Sequence, residues 1–313
     1  MSKKLLKVHD TFVKNLLSYK ESAIAFLHEA LPPELISQLQ WEEMTYLPES
    51  YVTAELREMV SDTVISLPLW SAHETVNITI LIEHKSKADP LSSVQLLKYI
   101  TNGYDQQLKR DGKLSVIIPV IYYHGKTKWK FRPLHQLFNN IPASIHTNIP
   151  NFKTEILRVQ EYSIPQIHNI AEAKLRAAFM AQRGLHDKMV AIQDYVRVIN
   201  TLESYGAGNF LKTYFVYMSN IPTFDKEKFI DITNQLTTDM RTKSMTLHDQ
   251  LIAEGKEEGI AIGIERGKQE GRQEGSVQSR YEFARKLIQR NMPIEDICEL
   301  TGLSEEQVKG LMV

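Results

Sequence analysis

The spacing of apolar residues along the chain changes from a helical period to a strand period and then back. Residues 10–30 carry apolar side chains at helical spacing, and Pro32-Pro33 ends this pattern. Residues 59–67 and 76–86 instead alternate apolar and polar positions, which predicts two strands. The alternation places Glu83 and Lys85 on one face of the second strand, because they are two positions apart.

The next elements complete a mixed core. Residues 90–109 are predicted to form a helix that ends before Gly112, and residues 114–123 form an apolar run typical of a central strand. A further strand is predicted over residues 153–159. A helix followed by strand, strand, helix and strand indicates an α/β or α+β core over residues 1–165.

Strand patterns fade after residue 163, and the chain returns to a helical period. Residues 171–180, 186–205 and 209–218 are predicted to be helices. We therefore expect a helical extension over residues 166–245 that packs on the core.

Glycine recurs at every fourth position from Gly255 to Gly275, within a charged segment that covers residues 246–278. Each glycine costs a helix about 1 kcal/mol relative to alanine, so the segment alone should be weakly helical. Two interpretations stay open. The glycines form a ridge through which two helices approach each other in a homo-oligomer, with a slow right-handed winding, or the segment is a semi-flexible charged linker.

The tail, residues 279–313, is predicted to be a small helical unit. Pro293 begins one of its helices, Thr301-Gly302 ends that helix, and Ser304 with Gln307 has the spacing of a capping box. Short helices joined by a glycine turn resemble a helix-turn-helix. A docking or dimerising cap is the alternative, since the last helix offers only Lys309 as a cation for a DNA groove.

Composition narrows the class of protein. Apolar residues make up 42% of the chain and charged residues 24%, with no apolar run near the roughly 20 residues that span a bilayer. The first residues contain no signal-peptide core, and Cys298 is the only cysteine. We expect a cytoplasmic protein without membrane contact. The net charge of −1 argues against a general nucleic-acid coating protein, but not against a local DNA groove.

Three residues of the two predicted strands form a candidate catalytic group. Asp62 lies within the first apolar strand, where a carboxylate is costly unless it is paired or binds a metal. If the strands are neighbours, Asp62, Glu83 and Lys85 converge at one end of a hairpin. The alternative is a Glu–Lys pair on a solvated face, with Asp62 in a bulge.

This group suits phosphodiester hydrolysis. Asp62 and Glu83 offer the hard oxygen ligands that Mg²⁺ prefers, with Ca²⁺ or Mn²⁺ as substitutes, and the backbone carbonyl of His84 could be a third ligand. Lys85 would orient the attacking water and stabilise the developing negative charge.

The following helix adds candidate residues. Gln95 and Tyr99 share a helix face because they are four positions apart, so both could reach the catalytic edge. Gln95 would hold Lys85 or the metal waters, and Tyr99 with the neighbouring Lys98 would contact the DNA backbone. A glutamine and a tyrosine that simply pack on a half-buried helix are the equal alternative.

These motifs carry a resemblance to a known family. The order of motifs resembles the PD-(D/E)XK nuclease superfamily: Asp62, then Glu83-His84-Lys85, then Gln95-x-x-x-Tyr99. One departure is Ser61, which stands where that superfamily's motif has a proline before the aspartate. More specific similarities to the Rpn family of recombination-promoting nucleases, or YhgA-like transposases, cover nearly the whole chain. They are His9-Asp10 with Phe12 and Lys14, Ile82 to Ser86, Pro119-Val120-x-Tyr122-Tyr123-His124-Gly125, the glycine repeat and the tail Ile294 to Ser304.

The resemblance implies a restriction-endonuclease-like core and a Mg²⁺-dependent DNA endonuclease linked to recombination, mobile elements and phage defence. Asp62, Glu83 and Lys85 correspond to its catalytic residues. Tyr123 and His124 are candidate DNA contacts, with a packed sheet edge as the alternative. Asp10 is a candidate distant acid, with capping or core packing as its alternative role. A catalytically silent binding scaffold and an RNA-directed nuclease are the competing functions.

Overall fold

The computed structural model describes residues 3–47, 63–70, 76–187, 190–221 and 223–312. The backbone alone is described over residues 3–7, 76–84 and 250–263, and at residues 111, 143, 247–248, 265–267, 270 and 273–274. Contacts between residues divide the chain into two units, Met1–Met245 and Thr246–Val313. The strands are β1 (Thr45–Tyr46), β2 (Thr63–Leu69), β3 (Val76–Lys85), β4 (Val116–Tyr123) and β5 (Glu155–Arg158). The helices of the first unit are α1 (Lys3–Ser18), α2 (Lys20–Ala30), α3 (Pro33–Ile36), α4 (Ser92–Asp111), α5 (Ile164–Asn169), α6 (Ala173–Gly184), α7 (Ile192–Ser204), α8 (Gly208–Ser219) and α9 (Lys226–Asn234). Three more helices follow: α10 (Thr238–Gln289), α11 (Ile294–Thr301) and α12 (Glu305–Lys309).

The first predicted helix is two helices. Tyr19 has an extended backbone, with φ −85° and ψ 121°, and separates α1 from α2. The apolar pattern does not reveal this break, because Leu16 and Ala23 are seven residues apart and both are fully buried. The single helix predicted over residues 10–30 was therefore wrong at Tyr19, where the chain turns so that α1 and α2 pack against each other.

The five strands form one sheet in the order β1-β2-β3-β4-β5. Strands β1, β2 and β3 pair antiparallel, whereas β3, β4 and β5 pair parallel. A parallel pair needs a crossover connection, and α4 supplies it between β3 and β4. The mixed α/β character of the core is thus confirmed, and β4 lies inside the sheet as its apolar sequence predicts.

Each face of the sheet is covered by helix. On one face, Ile121 and Tyr123 of β4 pack with Leu96, Tyr99 and Ile100 of α4. On the other face, the fully buried Tyr122 contacts the rings of Phe26 on α2 and Phe179 on α6. The helices α5 to α9 therefore belong to the same unit as the sheet, and α6 together with α2 covers its second face.

The second unit has a small apolar core of its own. Ala284, Leu287, Ile297, Leu303 and Val308 are its buried residues. The predicted capping box at α12 is confirmed, since the Ser304 side chain accepts from the Gln307 backbone and the Gln307 side chain from that of Ser304. Gly302 ends α11 in the left-handed region at φ 67°, which favours glycine.

The glycine repeat lies within α10, which has helical backbone along its full length. A charge-rich composition distinguishes this long helix from a membrane span. In the described parts of the chain, no helix combines the length and the apolar character needed to cross a membrane.

Candidate active site

The carboxyl end of β3 carries the predicted catalytic residues. In the parallel ladder with β4, Glu83 pairs with Ile121 and Lys85 pairs with Tyr123. Neighbours across a sheet share a face, so Glu83 and Lys85 lie on the α4 side, as Ile121 does. The structure describes only the backbone of Glu83 and His84.

The predicted hairpin neighbour is β2. Its antiparallel ladder with β3 ends at the pair Thr63–Ile82. Asp62 lies outside the described residues, and it directly precedes Thr63 in the sequence just as Glu83 directly follows Ile82. Each carboxylate of the candidate group is therefore the sequence neighbour of one residue in the last described pair of the ladder.

Asp89 and Gln95 both contact the side chain of Lys85. Its Nζ donates to Oε1 of Gln95 at 2.5 Å and to Oδ2 of Asp89 at 3.4 Å. Only 14% of the Lys85 side chain is exposed. A buried ammonium with a fixed direction is what a charge-stabilising group at a reaction centre needs.

Gln95 links Lys85 to the next turn of α4. Lysine has no acceptor, so the amide oxygen of Gln95 must face Lys85. The amide nitrogen then donates to the hydroxyl of Tyr99, one helical turn further on. The predicted contact between the Gln95–Tyr99 helix face and Lys85 is present in the structure.

Asp89 also belongs to this group, although the sequence motifs do not mark it. One carboxylate oxygen accepts from the Leu91 backbone at 2.9 Å, and the other accepts from Lys85. Asp89 thus fixes the loop before α4 and anchors the lysine at once. Its position four residues after Lys85 was the available signal, but in a loop this spacing has no fixed geometry.

The residues predicted to contact DNA differ in how far their side chains are exposed to solvent. Lys98 is exposed on α4, whereas Tyr99 is buried and bonded to Gln95. Tyr123 is 2% exposed, and its hydroxyl donates to the Thr127 carbonyl at 2.7 Å. His124 is fully buried. Tyr99, Tyr123 and His124 are all buried, which favours the packing alternative for each of them, and their contact with DNA stays a prediction.

The His9 motif meets His124 behind the sheet. The rings of His9 and His124 lie 4.8 Å apart, and Nδ1 of His9 is hydrogen bonded to the Tyr217 hydroxyl at 2.8 Å. The backbone N–H of His124 donates to the Lys85 carbonyl at 3.0 Å. These buried rings therefore support the strand end that carries Lys85.

The remaining residues of that motif have local partners. Asp10 lies 3.6 Å from Lys14 in an ion pair on α1. Phe12 stacks on Tyr217 with ring centroids 3.9 Å apart. Phe12 belongs to the core, and Asp10 pairs with the lysine one turn along its own helix.

The hydrogen bonds at the end of β3 give a direction to the backbone carbonyl of His84, the predicted third metal ligand. The Lys85 carbonyl points to β4, where it accepts from His124. Successive residues of a strand direct their backbone groups to opposite sides, so the His84 carbonyl points toward β2. The described side chains include no cluster of three His, Cys, Asp or Glu suited to a metal, and the side chains of Asp62 and Glu83 are not among those described.

Comparison with known proteins gives consistent results. The family described as "Putative transposase, YhgA-like" matches residues 7–208. Recombination-promoting nuclease RpnA of Escherichia coli (strain K12) is 23% identical over 324 residues, covering 98% of each chain. From the same organism, recombination-promoting nuclease RpnC is 26% identical over 67% of this chain and 69% of its own. Inactive recombination-promoting nuclease-like protein RpnE is 21% identical over 80% of this chain and 83% of its own. No solved structure matches the chain significantly.

Proposed function

This chain belongs to the family of YhgA-like transposases, and we propose that it is a metal-dependent DNA endonuclease with Asp62, Glu83 and Lys85 at its centre. It would hydrolyse phosphodiester bonds on a PD-(D/E)XK core. Relatives named as recombination-promoting nucleases support a role in DNA recombination.

One observation carries the proposal. Lys85 is held by Gln95, and Gln95 in turn holds Tyr99, so residues from two separate sequence motifs meet at one strand end. A structural Glu–Lys pair on a solvated face would leave the lysine exposed, whereas 14% of its side chain is exposed here.

The donor set fits a divalent cation with oxygen ligands. Asp62, Glu83 and the backbone carbonyl of His84 would hold Mg²⁺, with Mn²⁺ or Ca²⁺ as substitutes. Such an ion would supply positive charge for the phosphate and make a nearby water more acidic. The direction of the His84 carbonyl toward β2 supports this set, because the chain segment with Asp62 immediately precedes β2.

The protein side chains have separate roles. Lys85 would orient the attacking water and stabilise negative charge at the phosphate. Gln95 would position the ammonium group through a charge-assisted hydrogen bond, and Asp89 would fix the other side of the same group. Lys98, exposed on α4, would contact the DNA backbone.

A plasmid-cleavage assay with Mg²⁺, Mn²⁺ or EDTA tests the proposal. We expect wild type to nick or linearise supercoiled DNA with either ion and EDTA to stop it. Asp62→Asn and Glu83→Gln should lose at least about a hundredfold in rate, since each removes a charged ligand. Asp105→Asn is the matched control, because Asp105 is an exposed carboxylate whose partner is Lys109.

The competing function is a catalytically silent scaffold, and one similar protein is itself named as inactive. A folded wild-type protein that leaves DNA intact with every ion would refute the DNA endonuclease proposal. Cleavage of RNA in the same assay would then identify an RNA-directed nuclease, and its absence would favour the scaffold.

A further inference from the structure

A cavity of about 350 Å³ lies at the carboxyl ends of β4 and β5. Its cationic lining residues are Lys126, Lys128, Arg158 and Arg183. Tyr123 and Trp129 form an apolar part of the wall, with ring centroids 5.1 Å apart. Charges beside such a wall interact more strongly than charges in open water.

Cations outnumber carboxylates in the lining. Glu161 lies 3.7 Å from Arg158, and Asp187 lies 3.1 Å from Arg183. Lys126 and Lys128 are exposed, and across the described ranges no carboxylate pairs with either. The cavity therefore presents two lysines whose charges are available to an anion.

His186 adds a polar but uncharged group to the lining. Burial of the ring is the main cause that lowers the pKa of His186, and the nearby Lys126 lowers it further. The hydrogen bond to the His124 backbone acts in the opposite direction. The neutral ring is hydrogen bonded through Nε2 to the carbonyl of His124 at 3.1 Å. A carbonyl only accepts, so Nε2 carries the proton.

The cavity has a fixed relation to Lys85. Lys85 pairs with Tyr123, and Tyr123 pairs with Arg158, so the three residues form a row across β3, β4 and β5. Adjacent strands are about 4.8 Å apart, which separates the two ends of the row by about 10 Å.

The loop that carries both lysines is seated against the end of β3. A side chain at Gly125 would place its Cβ 2.6 Å from the Ser86 carbonyl oxygen and 2.5 Å from the Tyr123 hydroxyl. Only glycine allows this approach. The His124-Gly125 motif thus holds Lys126 and Lys128 beside the strand of the candidate active site.

We propose that this cavity binds a backbone phosphate of the same DNA strand, close to the phosphate that is cleaved. The inference rests on the proposed nuclease function. A DNA strand carries one phosphate for about every 3.4 Å of helix axis, so a strand that crosses the row from Lys85 to Arg158 brings a second phosphate over the cavity. Lys126 and Lys128 supply point charges to it, and Arg158 supplies a planar donor.

Equilibrium binding to a labelled DNA duplex in EDTA tests this inference without cleavage. The probe variant is the double substitution Lys126→Gln and Lys128→Gln. Its matched control is Lys109→Gln with Lys113→Gln, two exposed lysines near the start of β4, about 23 Å away along that strand. Both variants lose the same charge, and their melting temperatures should match that of wild type.

We expect the probe variant to lower the slope of log K against log salt by about 1 for each lysine. At 0.1 M salt, affinity should fall about eightfold for each lost contact. The control should stay within about twofold of wild type. Equal slopes for wild type and probe variant, or an equal loss in the control, would overturn the inference.

Two further results separate the possible ligands and the two proposals. Inorganic phosphate is the first test ligand. If it displaces DNA at a concentration close to the DNA dissociation constant, the cavity is a site for free anions, and the proposal that it binds a DNA backbone phosphate is overturned. A reduced slope with no plasmid cleavage would retain the cavity and reject the nuclease. Cleavage with an unchanged slope would do the reverse.

Discussion

Replacing Gln95 by methionine tests how much of the proposed catalysis depends on the orientation of Lys85. Methionine keeps a similar length but accepts no strong hydrogen bond, so Lys85 loses its 2.5 Å contact and Tyr99 loses its amide donor. The contact with Asp89 remains, but at 3.4 Å and with a half-exposed carboxylate it is the weaker of the two described contacts.

The expected magnitude follows from the type of bond. A hydrogen bond to a charged group contributes about 1.5–3 kcal/mol, and Lys85 is sufficiently buried for water to replace Gln95 poorly. Each 1.36 kcal/mol in the barrier changes the rate about tenfold. We therefore expect Gln95→Met to cut DNA about 10 to 150 times more slowly under single-turnover conditions, with DNA affinity unchanged within about twofold.

Gln107 provides the matched control on the same helix. It is buried, and its amide bonds the Ser115 backbone and hydroxyl, each at 2.8 Å. It lies 12 residues after Gln95, about 18 Å along the helix axis. Gln107→Met should lose stability but cleave at the wild-type rate. Wild-type cleavage by Gln95→Met, or an equal rate loss in Gln107→Met, would refute the role of Gln95.

Three other predictions follow from the described structure. Burial lowers the pKa of His186 below 6.5, so as the pH falls the unfolded chain takes up this proton before the folded chain does. Urea unfolding should therefore show a stability that decreases as the pH falls below about 6.5, and the decrease should be smaller in His186→Gln. A denaturant titration should show Gly125→Ala destabilised by about 1–3 kcal/mol, since its Cβ would meet the Ser86 carbonyl, while Gly208→Ala, with open space, keeps wild-type stability. Deleting residues 246–313 should spare cleavage but reduce the assembly size on gel filtration; an unchanged size would remove the glycine-ridge pairing proposal.

Local patterns predicted much of the fold. The alternation in β3 and the helical period in α4 depend on the geometry of a single element, which neighbouring residues determine. The same holds for the capping box of Ser304 and Gln307, which acts within four residues. The break at Tyr19 was missed because the apolar period continues across it.

Only part of the candidate site could be predicted from the sequence. The motifs predicted that Gln95 and Lys85 meet, and the structure brings them together. The part played by Asp89 was not predictable, because the geometry of a loop depends on distant residues. For Tyr123 and His124 the sequence left DNA contact and a packed sheet edge open, because the depth of a strand end depends on what packs over it.

The amino-acid sequence by itself determined the main strands and helices, the common face of Glu83 and Lys85, and the family to which the chain belongs. The tertiary structure alone decided the strand order, the fixed direction of the Lys85 ammonium and the cationic cavity beside it. The physical reason is range: periodicity reports interactions over a few residues, whereas the cavity joins side chains from residue 123 to residue 187 that meet only when β4, β5 and α6 pack.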